Sequence, residues 1–422
     1  MAGTSGTSRT TCAIVGGGPA GLVLGLLLAR AGVRVTVLEK HADFLRDFRG
    51  DTVHPTTLAM LDDLGLSERF DALPQTHLTQ GAFAGEGRRT VLVDFSRLPL
   101  RYPYIAMVPQ WDLLNLLAEA ARAEPTFTLL TEHEVTGVVR EGDRVTGVDY
   151  DSPTGPGRLL ADLTVACDGR RSTVQQAVGL AAREFPVTFD VWWFRVPTSR
   201  PVGQSLAPRL GKGRVVVGIP REGYLQVAYL GRKGTDAKLR DRGIAALRSD
   251  VAALLPELAD DVAGIASMED VRHLDVRVDR LKRWHAPGVL CIGDAAHAMS
   301  PVGGIGINLA VQDALAAARL LARPLSGGGP RHGVERRLAR VQRRRTFPTV
   351  ATQALQRLLH ARVFDPALSG REVAPPRALL ALVHRVPALT ALPAAVLGVG
   401  FRPERVPRWA RRMPGRADTA QF

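Results

Sequence analysis

The segment Gly16-x-Gly18-x-x-Gly21 constrains this chain more than any other feature. It follows a β-branched run, Thr11–Val15, that reads as a short strand, and it opens an apolar stretch from about Leu22 to Ala31 that reads as a helix. Gly32 ends that helix, Val33–Leu38 reads as a second strand, and Glu39 stands eighteen residues after Gly21. Strand, glycine turn, helix, strand and acid in this order are the fingerprint of a βαβ dinucleotide site. Gly16 permits the tight turn, Gly18 lets backbone approach a pyrophosphate, and Gly21 lets helix and strand pack closely. The amides and dipole of the helix N-terminus, around Ala20, favour anionic phosphate. Glu39, with Lys40 beside it, is placed to accept both ribose hydroxyls of an adenosine.

The rest of the chain divides by pattern. His54–Leu64 reads as a helix with Pro55 in its first turn, and Trp111–Arg122 as another. Strand-like runs follow at Val135–Val139, Val145–Tyr150 and Leu159–Ala166. Asp190–Val196, Arg214–Ile219 and Tyr224–Leu230 then alternate in the manner of an antiparallel sheet, which Thr90–Met107 is expected to join. Val289–Ile292 is a short buried strand and Asn308–Leu321 a helix; Pro324–Pro330 reads as a linker before an Arg-rich helical tail. Three cysteines (Cys12, Cys167, Cys291) are too few and too scattered for a disulfide frame or zinc cluster, and a reducing cytoplasm is expected.

The net charge of +14 suggests nucleic acid until it is located. Residues 331–422 hold 18 Arg and no Lys against five acids, a balance of +13, so the body of the chain is close to neutral. That tail lacks interleaved aromatics, and a nucleic-acid partner is not expected. Ala378–Phe401 is apolar but broken by Arg385, Pro387 and Pro393. Docking on the body, with Leu379, Leu382, Leu389 and Leu392 buried, is favoured over contact with an anionic membrane surface.

Two further motifs narrow the reading. Val289-Leu-Cys-Ile-Gly293-Asp294-Ala-Ala-His297 runs on through Pro301, Gly304, Gly306 and Asn308 to Asp313-Ala314, and a middle segment reads Cys167-Asp168-Gly169-Arg170-Arg171-Ser172. With the glycine turn, in this order and over roughly Cys12 to Leu321, they resemble the para-hydroxybenzoate-hydroxylase-type flavoprotein monooxygenases. The resemblance implies an α/β fold with a Rossmann-like FAD-binding domain (1–75, 108–184 and 275–325), an inserted antiparallel-sheet substrate domain (76–107 and 185–274) and a helical C-terminal region (326–422). It also implies non-covalent FAD, with Asp168 in the middle motif, Asp294 on a ribityl hydroxyl, and Gly304, Gly306, Ile307 and Asn308 against the flavin ring. By position, Arg49 and Gln110 fall near the ribityl-pyrophosphate, and Val135 near the adenine. The middle motif carries Gln175 where the family usually has Arg, and the helix near Gln110 often begins with Arg in the family.

The implied reaction uses NAD(P)H and O2: a flavin C4a-hydroperoxide delivers one oxygen atom to a hydrophobic, aromatic or polycyclic small molecule. No acid–base triad is visible, as suits chemistry carried by a cofactor. The catalytic candidates are His54 and Pro301, His54 having the plainer reading of a helix cap or core residue; His297 reads as packing, with no metal cluster around it. Tyr102, Tyr104 and Trp193 are candidate substrate-lining residues, with Arg195 as an anion anchor. A flavin halogenase is rejected because no Lys lies between Lys40 and Lys212, and disulfide reductases lack their Cys-x-x-Cys here. An FAD-dependent dehydrogenase or reductase of an isoprenoid or polyketide is the enzymatic alternative.

Overall fold

The computed structural model describes residues 6–45, 52–85, 88–200, 205–206, 208–211, 213–221, 223–327, 332–371 and 373–412. Its largest sheet has eight strands. Four of them, in sheet order Val289–Cys291, Gly155–Ala166, Thr7–Val15 and Val35–Leu38, are parallel, and Phe127–Leu130 continues the parallel run at one side. Alternation decides which face each residue meets: Cys12 and Ile14 enter the core on one side of the sheet, Ala13 and Val15 the core on the other. Helix α1 (Pro19–Arg30) is buried nearly all round, packed between the sheet and two other helices, and this explains its uniformly apolar sequence. At Gly25 a Cβ would stand 2.8 Å from the Phe127 ring, so glycine sets how closely α1 lies on the sheet.

Register brings the motifs together. Val15 pairs with both Leu38 and Ala166, and Ala166 pairs with Cys291, so the carboxyl ends of four neighbouring strands finish level. Three backbone bonds close that rim: Gly16 N–H to Leu38 O (2.8 Å), Cys167 N–H to Val15 O (2.7 Å) and Ile292 N–H to Ala166 O (3.0 Å). The glycine turn, Glu39, Asp168 and Asp294 therefore leave the sheet along one edge, where open α/β sheets bind ligands.

Helices α2 (Pro55–Asp63), α3 (Gln110–Arg122) and α4 (Ile305–Ser326) add to the core beside α1, and α5 (His332–Leu359) lies against α4. A separate five-stranded antiparallel sheet is centred on Phe189–Pro197 and Tyr224–Arg232. Trp192, Phe194 and Val196 face the helix Asp236–Leu254, while Phe189 and Val191 face the opposite way.

Three expectations are corrected. Thr90–Met107 does not join the five-stranded sheet: Arg88–Asp94 pairs with Gln80–Gly85, and Ile105–Met107 with Thr52–Val53 and Thr76–Leu78. Pro324 does not open a loop, because α4 runs through it to Ser326. A proline leaves the carbonyl four residues earlier without its helical donor, and Leu320 O accepts instead from Arg337 Nη1 (3.2 Å). In the tail, Leu379, Leu382, Leu389 and Leu392 are not buried but 44, 48, 40 and 69% exposed. Helices α6 (Arg377–Arg385) and α7 (Ala391–Gly398) meet at a sharp bend, and α7 seats on the body through Ala394, Leu397 and Gly398 against Phe95 and Pro55. Among the described residues one helical stretch, Val302–Ser326, is long and apolar enough to cross a membrane, and 78% of its apolar window is buried inside the protein.

Candidate active site

At the rim, Gly16 has φ +102°, and a Cβ there would stand 2.5 Å from Cys167 O. A Cβ on Gly21 would lie 2.0 Å from Gly16 O, so the helix can start where it does only with glycine at that position. Gly18 differs: it has ordinary backbone angles and open space where its Cβ would be. It is the N-cap of α1 yet supplies no side-chain cap, and the first turn holds no acid, so the first-turn N–H groups lack a side-chain acceptor of their own helix. Glu39 is buried, with Oε2 accepting from Gly17 N–H (2.8 Å) and Oε1 from His41 N–H (3.0 Å). Its carboxylate is thereby fixed beside the glycine turn. Lys40 points outward toward Glu134 (3.9 Å), and His133 N–H binds Glu39 O, which brings the buried Val135 close along the next strand.

On the other side of the rim, Asp294 Oδ2 accepts from Arg170 Nε (3.0 Å), and Arg170 Nη2 donates to Met299 O (3.2 Å). Arg170 ties the middle motif to the late one, a link that spacing along the chain gave no means of finding. Asp168 accepts at Oδ2 from Val174 N–H (3.4 Å). Burial pushes its carboxyl above the usual range, opposed by the Ser172 hydroxyl and nearby backbone N–H groups. Asp168 Oδ1 and Arg170 Nη1 are buried with no hydrogen-bond partner among the described residues. The late turn ends at Gly304 (φ +62°), the N-cap of α4, again without a side-chain cap, and Gly306 has open space where a Cβ would be. Thr52 Oγ1 donates to Gly304 O (2.8 Å), while Thr56 and Thr57 both donate to Asn308 Oδ1 (2.7 and 2.8 Å). Ile307 and Asn308 are buried there. Two uncapped helix N-termini, two open glycine positions and two unpartnered buried polar atoms along one rim fit an anionic dinucleotide such as FAD. Gln110 is half-buried as the first residue of α3. Arg49 lies outside the described residues.

The two catalytic candidates stand differently. His54 is fully buried, with Nδ1 2.9 Å from Leu397 O and Nε2 3.1 Å from Gly304 O. Burial pushes its pKa down to about 4 against the pull of those carbonyls. Both ring nitrogens face main-chain oxygens, so His54 joins the late turn to α7 and is not a free base. Pro301 is half-buried, and its carbonyl accepts from Gly304 N–H (3.0 Å), closing the turn. His297 packs with Trp284 and bonds through Nε2 to Asp313 Oδ2 (2.5 Å); Asp313 Oδ1 accepts from Arg345 Nε (2.7 Å). Burial opposes ionisation of Asp313, but His297 and Arg345 hold its carboxyl below the usual range. Asp313 lies sixteen residues from His297, across a turn, so no local pattern pairs them.

The aromatic candidates fall in two groups. Tyr104 stacks on His77 (centroids 3.9 Å apart) with Tyr102 edge-on to it, both against the core that holds α3. Trp193 belongs to a cluster with Phe95, Met107, Ile219 and Leu397, and its Nε1 is buried without a partner among the described residues. Arg195 is exposed, its guanidinium 4.8 Å from the Tyr224 ring centre. The three thiols are buried or nearly so, and burial pushes each upward, Cys12 to about 12.

Known proteins match this arrangement over most of the chain. A family described as an FAD binding domain matches residues 9–355. The 6-methylpretetramide 4-monooxygenase of Streptomyces rimosus is 36% identical over 388 residues, covering 90% of each chain. A 12-dehydrotetracycline 5-monooxygenase/anhydrotetracycline 6-monooxygenase of the same species is 32% identical over 340 residues; the match covers 76% of this chain and 64% of that one. The solved structure of the anhydrotetracycline hydroxylase from S. rimosus superposes with a TM-score of 0.72 at 27% identity, over 92% of this chain and 76% of that one.

Proposed function

The chain belongs to the family of this FAD binding domain and is an FAD-dependent monooxygenase, and from that premise we propose that it hydroxylates a polycyclic aromatic polyketide. The observation that carries the substrate class is the 36% identity, over nine-tenths of both chains, to a relative named for 6-methylpretetramide. FAD, reduced by NAD(P)H, supplies the activation of O2 when bound.

The protein's own residues hold, orient and seal. The N–H groups of Gly18 and Ala20 and the Glu39 carboxylate take the pyrophosphate and adenosine ribose, and Asp294, oriented by Arg170, takes the ribityl chain. The N-terminus of α4, with no side-chain cap and no acid in its first turn, offers amides and a positive dipole to negative charge on the reduced ring. On the substrate side, the cluster around Trp193, Met107, Ile219 and Leu397 supplies an apolar wall that excludes water. Trp193 Nε1, unpartnered there, is a donor for a phenol or ketone oxygen of the substrate.

The test is turnover of 6-methylpretetramide with NAD(P)H and air, followed by mass spectrometry. A product heavier by one oxygen atom, formed only when all three are present, is expected. NAD(P)H consumption that the polyketide does not alter, with no oxygenated product, would remove this substrate class.

A further inference from the structure

Helix α5 carries a polar stripe on its buried face. Gln342, Arg345, Thr349, Gln353, Gln356 and His360 recur every three or four residues, a spacing that usually marks an apolar seam, and Arg345, Thr349, Gln353 and Gln356 are almost wholly buried. Each of four members grips the late motif. Arg345 holds Asp313, whose other oxygen accepts from Gly293 N–H (3.1 Å). Gln353 Nε2 donates to Ala298 O (3.1 Å) and Asp279 O (2.6 Å). Gln356 Nε2 donates to Ser300 O and Val302 O (both 2.9 Å). His360 Nε2 lies 2.9 Å from Ser300 Oγ, at the start of a π-helical turn, His360–Phe364, that extends the helix. Alternate carbonyls of one short turn are thus taken by a single helix face, and that turn delivers the chain to Gly304 and the N-terminus of α4.

We propose that α5 is the positioning element of the Ala298–Gly304 turn, with Gln353 and Gln356 as positioning residues that fix how the α4 N-terminus meets the flavin ring. The proposal rests on the FAD site described above. Without the two carboxamides, three carbonyls of the turn lose their buried donor, and the turn relaxes toward other partners. The α4 amides then move relative to the ring while the pyrophosphate end of the site, held by the glycine turn, is untouched.

The experiment compares FAD-loaded full-length protein with Gln356→Met and Gln353→Met, which keep side-chain length and helix propensity but remove the donors. An exposed position on the same helix, Arg343→Gln, is the control. Three quantities are read: FAD dissociation from titrated apoprotein, the visible circular dichroism of the flavin, and its midpoint potential against a reference dye. Expected are FAD binding within about threefold of wild type, an altered flavin dichroism, and about a tenfold loss in the reduction equilibrium, roughly 30 mV to the negative for a two-electron couple. The control should match wild type. If Gln356→Met does not accumulate folded, Gln353→Met alone reads the same three quantities. Wild-type potential and dichroism in the folded glutamine variants would overturn the positioning role alone, whereas a wild-type protein that takes up no FAD would overturn the site beneath it.

Discussion

Gly16 and Gly18 stand two residues apart in one motif, yet the structure separates what each does. Gly16→Ala forces a side chain into a left-handed backbone and against Cys167 O, so the apoprotein should lose roughly 1–3 kcal/mol in urea unfolding. Gly18→Ala meets only open space within the protein, so stability should hold while FAD affinity falls at least about tenfold, because the methyl lies where phosphate must approach. Asp294→Ala should weaken FAD retention by roughly 1.5–3 kcal/mol, the range for a hydrogen bond to a charged group, read by fluorescence titration of the apoprotein. His54 gives a pH signature. Its folded pKa, about 4, is below the ordinary 6.5, so the unfolded chain takes the proton first as pH falls. The stability it contributes is whole above pH 6.5 and is lost progressively down to pH 4, by up to roughly 3 kcal/mol. His54→Gln should flatten that part of the profile of unfolding free energy against pH. At this scale the sequence was readable wherever a residue type is demanded by backbone geometry, as at Gly16 and Gly21. It gave no role to Arg170, Thr52, Thr56 or Thr57, whose importance lies in partners more than a hundred residues away.

Among the elements, the helices and strands announced by periodicity are present with boundaries shifted by a few residues; α1, for example, starts at Pro19 and not Leu22. The misreadings have physical causes. Pro324 looked like a breaker because its effect on Leu320 O is local, while the compensating Arg337 arrives from the next helix. The Arg-rich tail was expected only as a helical region, with no distinction among its arginines, yet within α5 they differ in burial. Arg345 is fully buried against Asp313, while Arg343 is exposed. Removing one partner of a buried pair leaves the other charge uncompensated, so Arg345→Met should cost about 3 kcal/mol of unfolding free energy, measured by urea melts. An equal loss from Arg343→Gln would show that general helix charge, not the buried pair, is being measured.

For the molecule as a whole, the decisive fact is register. Level strand ends at Val15, Leu38, Ala166 and Cys291 gather motifs spread over nearly 300 residues of sequence onto one rim, and no local pattern encodes that pairing. The order of the motifs revealed it only through resemblance. The tail belongs to the same assembly: α7 closes the cluster around Phe95 and supplies the carbonyl that binds His54. Ending the chain after Gly370 should therefore lower the melting temperature and raise the exposure of Trp193, seen as a red-shifted tryptophan emission, even though the outer leucines of α6 and α7 contribute little burial. The measurement that tests the central claim most directly is turnover of 6-methylpretetramide by the purified yellow protein with NAD(P)H under labelled O2. One labelled oxygen atom per product molecule, with no conversion under strict anaerobiosis, is the predicted result. Product that forms without O2, or that carries only unlabelled oxygen, would contradict a monooxygenase reaction at this site.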